Sequence, residues 1–222
     1  MTETDTLDTP SPEPLSRERI LHAALRLVDE MGMESLSMRK VAQALGVKAM
    51  SLYNHVTNKD DILDGMVDMV ISEIEVPDLK LNWKTAMRRR AIAAHEVLLR
   101  HPWATMAIVS RINVGPAMLR YVDATLGCLC EAGFSLKMAD YAWNAIDSHI
   151  YGFTLQEINC PVDSSEFAET AERFLPQFPA DQYPYSNRLM RHVIESNYDG
   201  IYDFEFGLNL ILDGLEGLLD KT

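Results

Sequence analysis

Residues 37–59 read SMRKVAQALGVKAMSLYNHVTNK, and this stretch decides the fold. Ser37 can cap a short helix because its hydroxyl accepts from the free N–H groups of the first turn, and apolar residues follow at helical spacing over 41–45. Gly46 then stands where a chain leaving a helix commonly needs a positive φ. The stretch predicts two short helices joined by a sharp glycine turn, which is a helix-turn-helix.

The second helix of this motif begins near Lys48 and has two different faces. Leu52 and Val56 are predicted core residues and Met50 is expected on the packing face with them, whereas the other face offers hydroxyl, amide, imidazole and ammonium groups. Such a face suits the major groove of DNA. The alternative is an ordinary small helical domain, because a glycine turn between two helices is not specific to DNA-binding proteins.

Two flanking helices complete the N-terminal region. Upstream, apolar residues recur at helical spacing over 20–31, with Ser16 as the predicted cap and Gly32 as the stop. Downstream, Asn58 can cap a connecting helix over about residues 59–75, whose first turn carries acidic residues that favour the positive end of the helix dipole. The sequence therefore predicts a three-helix head joined to a body by one further helix.

Several stretches carry a resemblance to a known family. The DNA-binding head of the tetracycline-repressor family of bacterial transcription regulators resembles ILHAALRLVDEMGMESLSMRKVAQALGVKAMSLYNHVTNKDDILDGMV (20–67), and the likeness covers about residues 17–74. The body is similar to this family in EAGFSLKMADYAW (131–143), FTLQE (153–157) and FEFGLNLILDGLEGLL (204–219). The resemblance implies an all-α fold with an N-terminal three-helix helix-turn-helix head and a C-terminal helical ligand-binding and dimerisation body.

The same resemblance implies a function. A member of this family is expected to bind a near-palindromic double-stranded DNA operator as a homodimer, with two heads reading half-sites about 34–36 Å apart. It is expected to act as a repressor and to leave the operator when a small-molecule effector binds the body.

Nine residues are predicted to face DNA. By resemblance, Arg39 contributes a base-edge or phosphate contact, and residues 48–51 open the recognition helix, the end that reaches base edges. Tyr53, His55 and Lys59 resemble the family's phosphate clamps. The alternatives are a solvated surface arginine, a core aromatic and a structural histidine. The full set is Ser37, Arg39, Lys48, Ala49, Ser51, Tyr53, Asn54, His55 and Lys59.

The chain is predicted to consist of three segments. Residues 1–15 are acidic, with three prolines and no basic group, and cannot bury enough surface to fold, which predicts a disordered leader. Residues 16–60 are the predicted DNA-binding domain and residues 61–222 the effector-binding and dimerisation domain. No secretory signal and no membrane-spanning apolar run is recognisable, so the protein is expected in the cytoplasm, with no membrane partner.

Charge is unevenly distributed along the chain. The whole chain carries −13 at pH 7, which opposes binding to a polyanion. Residues 16–59, however, contain seven basic and four acidic residues, a net charge of +3, so the other 178 residues carry −16. A basic head on an acidic body is expected to meet DNA head-first.

The body shows helical periodicity and no strand alternation. Prolines and glycines mark the breaks between its helices. The predicted helices cover about residues 83–100, 119–132, 136–159, 186–197 and 201–219.

A small-molecule pocket is predicted in the body, because polar and aromatic side chains interrupt its apolar helix faces. For each of these residues taken alone, core packing is the alternative. Arg90 also belongs to a basic cluster, 88–90, which could bind an anionic effector if Arg90 points inward, but for which a solvated helix face is the favoured interpretation. The candidate pocket residues are Arg90, His95, Trp103, Met106, Met118, Trp143, Asp147, His149 and Tyr151.

The residues argue against tetracycline as the ligand. Family members that bind this drug hold its magnesium complex partly through a histidine, but residues 106–115 contain none, and Val109 lies about where it would be. An asparagine and a phenylalanine of the family's pocket would fall near Arg90 and Ala94, which cannot replace them. No metal site and no cofactor are predicted, and the three cysteines are expected to be buried free thiols.

The last helix is predicted to form a dimer interface together with the helix at 136–159. An apolar stripe follows one of its faces, and two glycines seven residues apart allow close approach of another helix. The predicted interface residues are Phe204, Gly207, Leu208, Ile211, Gly214, Leu215 and Leu218.

Two other functions compete with this interpretation. The first keeps the fold but has a protein partner, or no effector at all. The second is a small helical enzyme that uses His95 or His149 with Asp147 as an acid–base pair. Because no nucleophile elbow, phosphate-binding loop, metal-binding helix motif or dinucleotide fingerprint is present, the protein is not predicted to be an enzyme.

Overall fold

The computed structural model describes residues 14–196 and 203–219. Over these residues the fold is all-α, as predicted, with eleven α-helices and no strand. The chain divides into two compact units, residues 1–69 and 70–222, and this division falls within the predicted connecting helix. The predicted leader lies outside the described residues, apart from Pro14 and Leu15.

The first unit consists of three helices and most of a fourth. Ile20, Val41 and Leu52 are 0% exposed and form part of its core. The turn after the second helix is closed by a hydrogen bond of 3.0 Å from the Val47 N–H to the Ala42 carbonyl. The helices are α1 (Arg17–Met31), α2 (Met38–Ala44), α3 (Ala49–Leu52) and α4 (Lys59–Ser72), of which α4 crosses the division between the units.

Capping hydrogen bonds explain where these helices begin and end. Ser16, Ser37 and Asn58 each accept from the backbone N–H three residues further on, at 3.2, 3.2 and 2.9 Å. Gly32 and Gly46 have φ angles of 77° and 68°, which residues with a Cβ rarely adopt. All five features agree with the sequence predictions.

The second unit is built around four helices that pack against one another, α5, α7, α8 and α11. Leu98, Leu129 and Ile150 are 0% exposed and belong to its core. The helices after α4 are α5 (Trp83–Arg100), α6 (Pro102–Val109), α7 (Pro116–Glu131), α8 (Leu136–Ile158), α9 (Phe167–Phe174), α10 (Pro184–Ser196) and α11 (Phe204–Leu219).

Two of these helices, α6 and α9, are absent from the sequence predictions. Pro102 suggests a break, but it occupies the first turn of α6, where a proline is tolerated because that N–H has no partner within the helix. Pro116 likewise starts α7 about one turn earlier than predicted. The acidic stretch at 163–172, for which no helix was predicted, contains the start of α9.

Two further expectations concern membranes and thiols. Among the helices of the described residues, none has the length and apolar character needed to cross a bilayer. All three cysteines are free, as expected, but only Cys128 is buried, while Cys130 and Cys160 are partly exposed. Burial raises the pKa of the Cys128 thiol above its usual value.

Candidate functional site

The predicted DNA-facing residues lie on the surface of the first unit. Tyr53 is 49% exposed and is therefore not a core aromatic. Met50, which the sequence pattern places on the packing face, is 76% exposed and joins this surface. The exposed predicted residues are Arg39, Lys48, Tyr53, Asn54, His55 and Lys59, and the half-buried ones are Ser37, Ala49 and Ser51.

This surface is supported by buried and paired residues beneath it. Leu52 and Val56 are 0% and 3% exposed, which confirms them as core residues. An ion pair of 2.6 Å joins Arg17, at the start of α1, to Asp61, at the start of α4. The Arg17 guanidinium holds the pKa of the Asp61 carboxyl below its usual value. A short recognition helix is thus presented on a fixed support.

A buried ion pair lies between α5 and α8 in the second unit. Arg90 Nη2 donates to Asp147 Oδ1 at 2.5 Å, and the guanidinium carbon lies 4.5 Å from the centroid of the Tyr121 ring. Two further donors reach Asp147 Oδ2, Trp143 Nε1 at 2.7 Å and the Tyr151 hydroxyl at 3.2 Å. We refer to these five residues as the Arg90 cluster.

Burial and charge decide the protonation of this cluster. Burial opposes the charge of Arg90, but the Tyr121 ring and the Asp147 carboxylate hold the pKa of the guanidinium above its ordinary value. Burial raises the pKa of both Tyr121 and Tyr151 well above the usual phenol range. Arg90 is therefore charged and both phenols are protonated at neutral pH. Within the described residues, Arg90 Nε and Nη1 are buried without a hydrogen-bond partner.

A second cluster combines two histidines with the first residue of α11. The rings of His95 and His149 stack on the Phe204 ring at centroid distances of 4.2 and 4.9 Å. His149 Nε2 also lies 2.9 Å from the Phe204 carbonyl oxygen, to which it can donate. These contacts hold α5, α8 and α11 together at one point.

Polar groups surround the other edge of His95. Its Nδ1 lies 2.8 Å from Thr154 Oγ1, and its Nε2 lies 3.2 Å from Glu157 Oε2. Burial lowers the pKa of His95, although the Glu157 carboxylate opposes this shift. The Thr154 hydroxyl donates to the Ile150 carbonyl oxygen at 2.6 Å, so its oxygen can accept from the Nδ1–H of His95, while Nε2 faces the Glu157 carboxylate.

The structure brings six of the nine candidate pocket residues into these two clusters. Arg90, Trp143, Asp147 and Tyr151 form the first cluster, and His95 and His149 belong to the second. Trp103, Met106 and Met118 belong to neither, and Met106 is 55% exposed. Tyr121, Thr154 and Phe204, which also contact these clusters, were not among the predicted pocket residues.

The interpretation of residues 88–90 as a solvated face is wrong for Arg90. Arg88 pairs with Glu205 at 3.1 Å and Arg89 is exposed, but the Arg90 side chain is 0% exposed. The sequence did contain a sign that a buried cation was needed, because Asp147 lies in an apolar helix and a buried carboxylate requires a partner. The sequence alone did not identify that partner.

The predicted dimer stripe on α11 also needs correction. Phe204, Leu208 and Leu215 are at most 8% exposed within one chain, so they are core residues and not an outer face. A Cβ at Gly207 would lie 2.5 Å from the His149 ring, so this glycine serves packing within the chain. Of the predicted set, Ile211 is half-buried, and only Gly214 and Leu218 are exposed.

The geometry does not support an acid–base pair. Asp147 is occupied by donors from Arg90, Trp143 and Tyr151, whereas His149 points to the Phe204 carbonyl. In the described part of the chain, no group of three or more His, Cys, Asp or Glu residues is arranged to hold a metal ion.

An exposed polar recognition helix on a buried support, in an all-α chain, defines the class of helix-turn-helix DNA-binding proteins. Two family models match the chain: bacterial regulatory proteins, tetR family, over residues 20–66, and the tetracyclin repressor-like C-terminal domain over residues 76–219. The chain belongs to the tetR family of transcriptional regulators.

Curated relatives support this assignment. The chain is 32% identical over 219 residues to the HTH-type transcriptional repressor DrrR1 of Streptomyces coeruleorubidus, covering 94% of this chain and 80% of that protein. It is 30% identical over 211 residues to the class C tetracycline repressor of Escherichia coli, covering 91% of each chain.

Solved structures share the fold over nearly the whole chain. Apo ActR of Streptomyces coelicolor matches with a TM-score of 0.81 and 27% identity, covering 95% of this chain and 99% of that chain. ActR in complex with actinorhodin matches with a TM-score of 0.79 and 28% identity, covering 93% and 99%.

Proposed function

We propose that this tetR-family regulator is a homodimeric repressor that binds a near-palindromic operator and is released from it by a small molecule bound in the body. The observation that carries the proposal is the α3 surface, where polar and basic groups are exposed around a helix whose Leu52 is 0% exposed. Because the inner face of α3 is committed to the core, its outer face remains available to base edges and phosphates.

Roles can be assigned within this surface. Arg39 and residues 48–51 are proposed to read base edges, with Ala49 placed to contact a thymine methyl group. Tyr53, His55 and Lys59 are proposed to bind phosphates. Ser37 uses its oxygen to cap α2, which leaves its hydroxyl proton for a phosphate.

Dimerisation is proposed through the outer face of α11. Phe206 and Leu210 are 63% and 61% exposed, and Gly214 and Leu218 continue the same face at spacings of four residues. A Cβ at Gly214 would meet no atom of the described residues within 4 Å, so packing among these residues does not require a glycine there. A closely approaching helix of a second copy explains both the exposed apolar residues and the glycine.

Ligand responsiveness is supported by the interior of the body and by relatives. ActR has been solved with actinorhodin, and the class C relative is a tetracycline repressor. In this chain, α5 and α8 carry buried polar groups in the Arg90 cluster, including two Arg90 nitrogens that have no hydrogen-bond acceptor among the described residues. A same-fold regulator without an effector remains the competing version, which a fully packed and unresponsive body would support.

The route from ligand to DNA is proposed to run through α4. Glu73, directly after α4, accepts from Arg100 Nη2 at 2.9 Å and lies 3.2 Å from His101 Nε2 at the end of α5. These contacts join the end of α4 to the helix that carries Arg90. A ligand that prefers one position of α5 would thereby shift the population of α4 positions and change the spacing of the two heads in the dimer.

Selection of bound duplexes from random DNA, repeated at several salt concentrations, tests the DNA-binding proposal. We expect enrichment of a palindromic site with half-sites about one helical turn apart, because a two-fold dimer presents two recognition helices. Analytical ultracentrifugation of the protein–DNA complex then gives the stoichiometry, with two chains expected on each site.

A matched pair of variants controls this experiment. His55→Ala removes a proposed phosphate contact on the head, whereas His192→Ala removes an exposed histidine on α10. Only the first is expected to weaken binding. The absence of any enriched site at low salt, with protein free of co-purified ligand by mass spectrometry, contradicts the proposal.

A further inference from the structure

We infer that Met50 is a specificity-determining residue of the recognition helix, and that its side chain selects a thymine in each half-site by contact with the C5-methyl group in the major groove. The inference rests on the proposed operator-binding function and deepens it by naming the chemical group that one residue recognises. The observation behind it is an apolar side chain, 76% exposed, in the middle of the surface assigned to DNA.

The position of Met50 on α3 follows from the geometry of the helix. Within Ala49–Leu52, Leu52 is 0% exposed and marks the inner face. At about 100° per residue, Met50 stands about 200° around the helix from Leu52, nearly opposite to it. Ala49 and Ser51, on the two sides, are half-buried. Met50 is therefore the outermost side chain of the recognition helix.

The residues around Met50 are those proposed to contact DNA. Tyr53, three residues further on and so on the same side of the helix, is 49% exposed, and Lys48 and Asn54 are exposed as well. A helix that enters the major groove brings its outermost side chains closest to the base edges. Since polar and basic groups flank Met50, they are placed for phosphates and groove walls, and Met50 is placed for the bases.

The chemistry of this side chain selects the thymine methyl group. A thioether has no hydrogen-bond donor and is only a weak acceptor, so it would cover the polar edges of a G·C pair without satisfying them. The C5-methyl group of thymine is the apolar group that the base pairs present in the major groove. Met50 has an unbranched, adaptable side chain, whereas the neighbouring Ala49 is short and half-buried. Met50 therefore has the longer reach.

The size and salt dependence of this contact can be stated in advance. Burial of one methyl group is worth about fourfold in affinity, and two symmetric half-sites give about fifteenfold. An apolar contact releases no counterion, so the slope of log affinity against log salt should not depend on Met50. This distinguishes Met50 from the residues proposed to bind phosphates.

The experiment removes single methyl groups from the operator. In the duplex selected from random DNA, each thymine is replaced in turn by deoxyuridine in both half-sites, and the affinity of the full-length protein is measured by fluorescence anisotropy. We expect a position at which this replacement weakens binding about fifteenfold. A C·G pair is then placed at that position, with and without a C5-methyl group on the cytosine. The methylated form should bind about fifteenfold more tightly, because it restores the methyl group without the rest of thymine.

Four variants locate the contact. Met50→Ala is expected to reduce both ratios to below about twofold, and Met50→Leu, which stays apolar, to retain most of them. Ala49→Gly removes the neighbouring methyl group and should leave the ratios unchanged at this position. Met31→Ala removes a methionine that is 61% exposed on α1 and should change nothing. Thermal unfolding of each variant, followed by circular dichroism, verifies that it is folded.

The other outcomes overturn the inference. If no replacement by deoxyuridine changes the affinity of wild type, or if the change persists in Met50→Ala, Met50 does not read a methyl group. If Met50→Ala weakens binding to all duplexes equally, the residue positions the helix and selects no base. These results leave the regulator proposal intact when an operator is selected and bound. Failure to select any operator contradicts the regulator proposal itself, and the inference with it.

Discussion

The two units of the molecule differ in whether their most distinctive polar groups are exposed or buried. In the first unit the groups assigned to function are exposed on α3 and its flanks, over an apolar core. In the second unit the most distinctive polar groups, those of the Arg90 cluster, lie inside the helical packing. An exposed site can be modified with little effect on folding, whereas a buried site is also part of what stabilises the fold.

Ion pairs show this difference most directly. The Arg17–Asp61 pair in the head has side chains that are 46% and 25% exposed, while the Arg90–Asp147 pair has side chains that are 0% and 10% exposed. Water screens the first pair, and the second has almost no contact with water. The following predictions test the contrast, beginning with the largest effect.

Breaking the buried pair is expected to have the largest effect on stability. Arg90→Met leaves the Asp147 carboxylate buried without its cation and should lower the free energy of unfolding by about 3–5 kcal/mol, measured by urea denaturation. Arg17→Met removes one partner of the exposed pair and should cost at most about 1 kcal/mol. Adding Asp147→Leu to Arg90→Met should restore much of the loss. Equal losses from the two single substitutions would remove the contrast.

Substitutions at two glycines of α11 can distinguish packing within one chain from packing between two chains. Gly207→Ala places a Cβ 2.5 Å from the His149 ring and should destabilise the protein by about 1–3 kcal/mol. The added Cβ of Gly214→Ala meets no atom within 4 Å in the part of the chain that the structure describes, and the substitution should not destabilise a single chain. If Gly214 faces a second copy, its substitution should instead raise the dimer dissociation constant, measured by sedimentation equilibrium. Unchanged dimerisation by Gly214→Ala would contradict the proposed interface.

Charge removal on the head should affect DNA binding and leave folding unchanged. Lys59→Ala should weaken binding to all duplexes and reduce the slope of log affinity against log salt by about one, because one phosphate contact is lost. Arg39→Ala should also relax the preference at particular base pairs. Binding is measured by fluorescence anisotropy on cognate and scrambled duplexes. Uniform, equal losses from both variants would refute the separate roles.

The smallest predicted effect concerns the pH dependence of stability. Burial lowers the pKa of His95, so the unfolded chain binds more protons than the folded chain as pH falls below about 6.5. Stability is therefore fully present above the unfolded pKa and is lost as pH falls through it, by at most about 1.4 kcal/mol per pH unit. His95→Gln should flatten this loss in urea titrations between pH 7 and 5, whereas His22→Gln, on the exposed face of α1, should not.

The helix boundaries of the head could be predicted from the sequence because they depend on contacts between residues close together in the chain. Capping by Ser16, Ser37 and Asn58 and the positive φ of Gly46 depend on residues within one turn, and each was predicted and found. The exposure of Met50 is the exception, since a helix of four residues, 49–52, is too short for its periodicity to distinguish an inner from an outer face.

The buried contacts of the body could not be predicted from the sequence because they join residues that are far apart in the chain. Arg90 and Asp147 are 57 positions apart, and nothing near Arg90 distinguishes it from its exposed neighbour Arg89. The stripe on α11 was correctly recognised as apolar, but an apolar stripe does not reveal whether it packs within its own chain or against another. In the structure, Leu208 and Leu215 are buried within their own chain.

The convergence of three donors on Asp147 has a consequence for how this protein can diverge. Loss of Asp147 would leave the Arg90 cation buried without its anion and would leave Trp143 and Tyr151 without their acceptor. Loss of Arg90 would leave the Asp147 carboxylate buried without its cation, which is also destabilising. A single replacement at either position leaves a buried charge unpaired and is therefore disfavoured, whereas a paired replacement removes both charges and leaves only the neutral donors of the half-buried Trp143 and Tyr151. We therefore expect substitutions at positions 90 and 147 to occur together in descendants of this chain. The charge of the body's interior would then change by paired substitutions and not by one residue at a time.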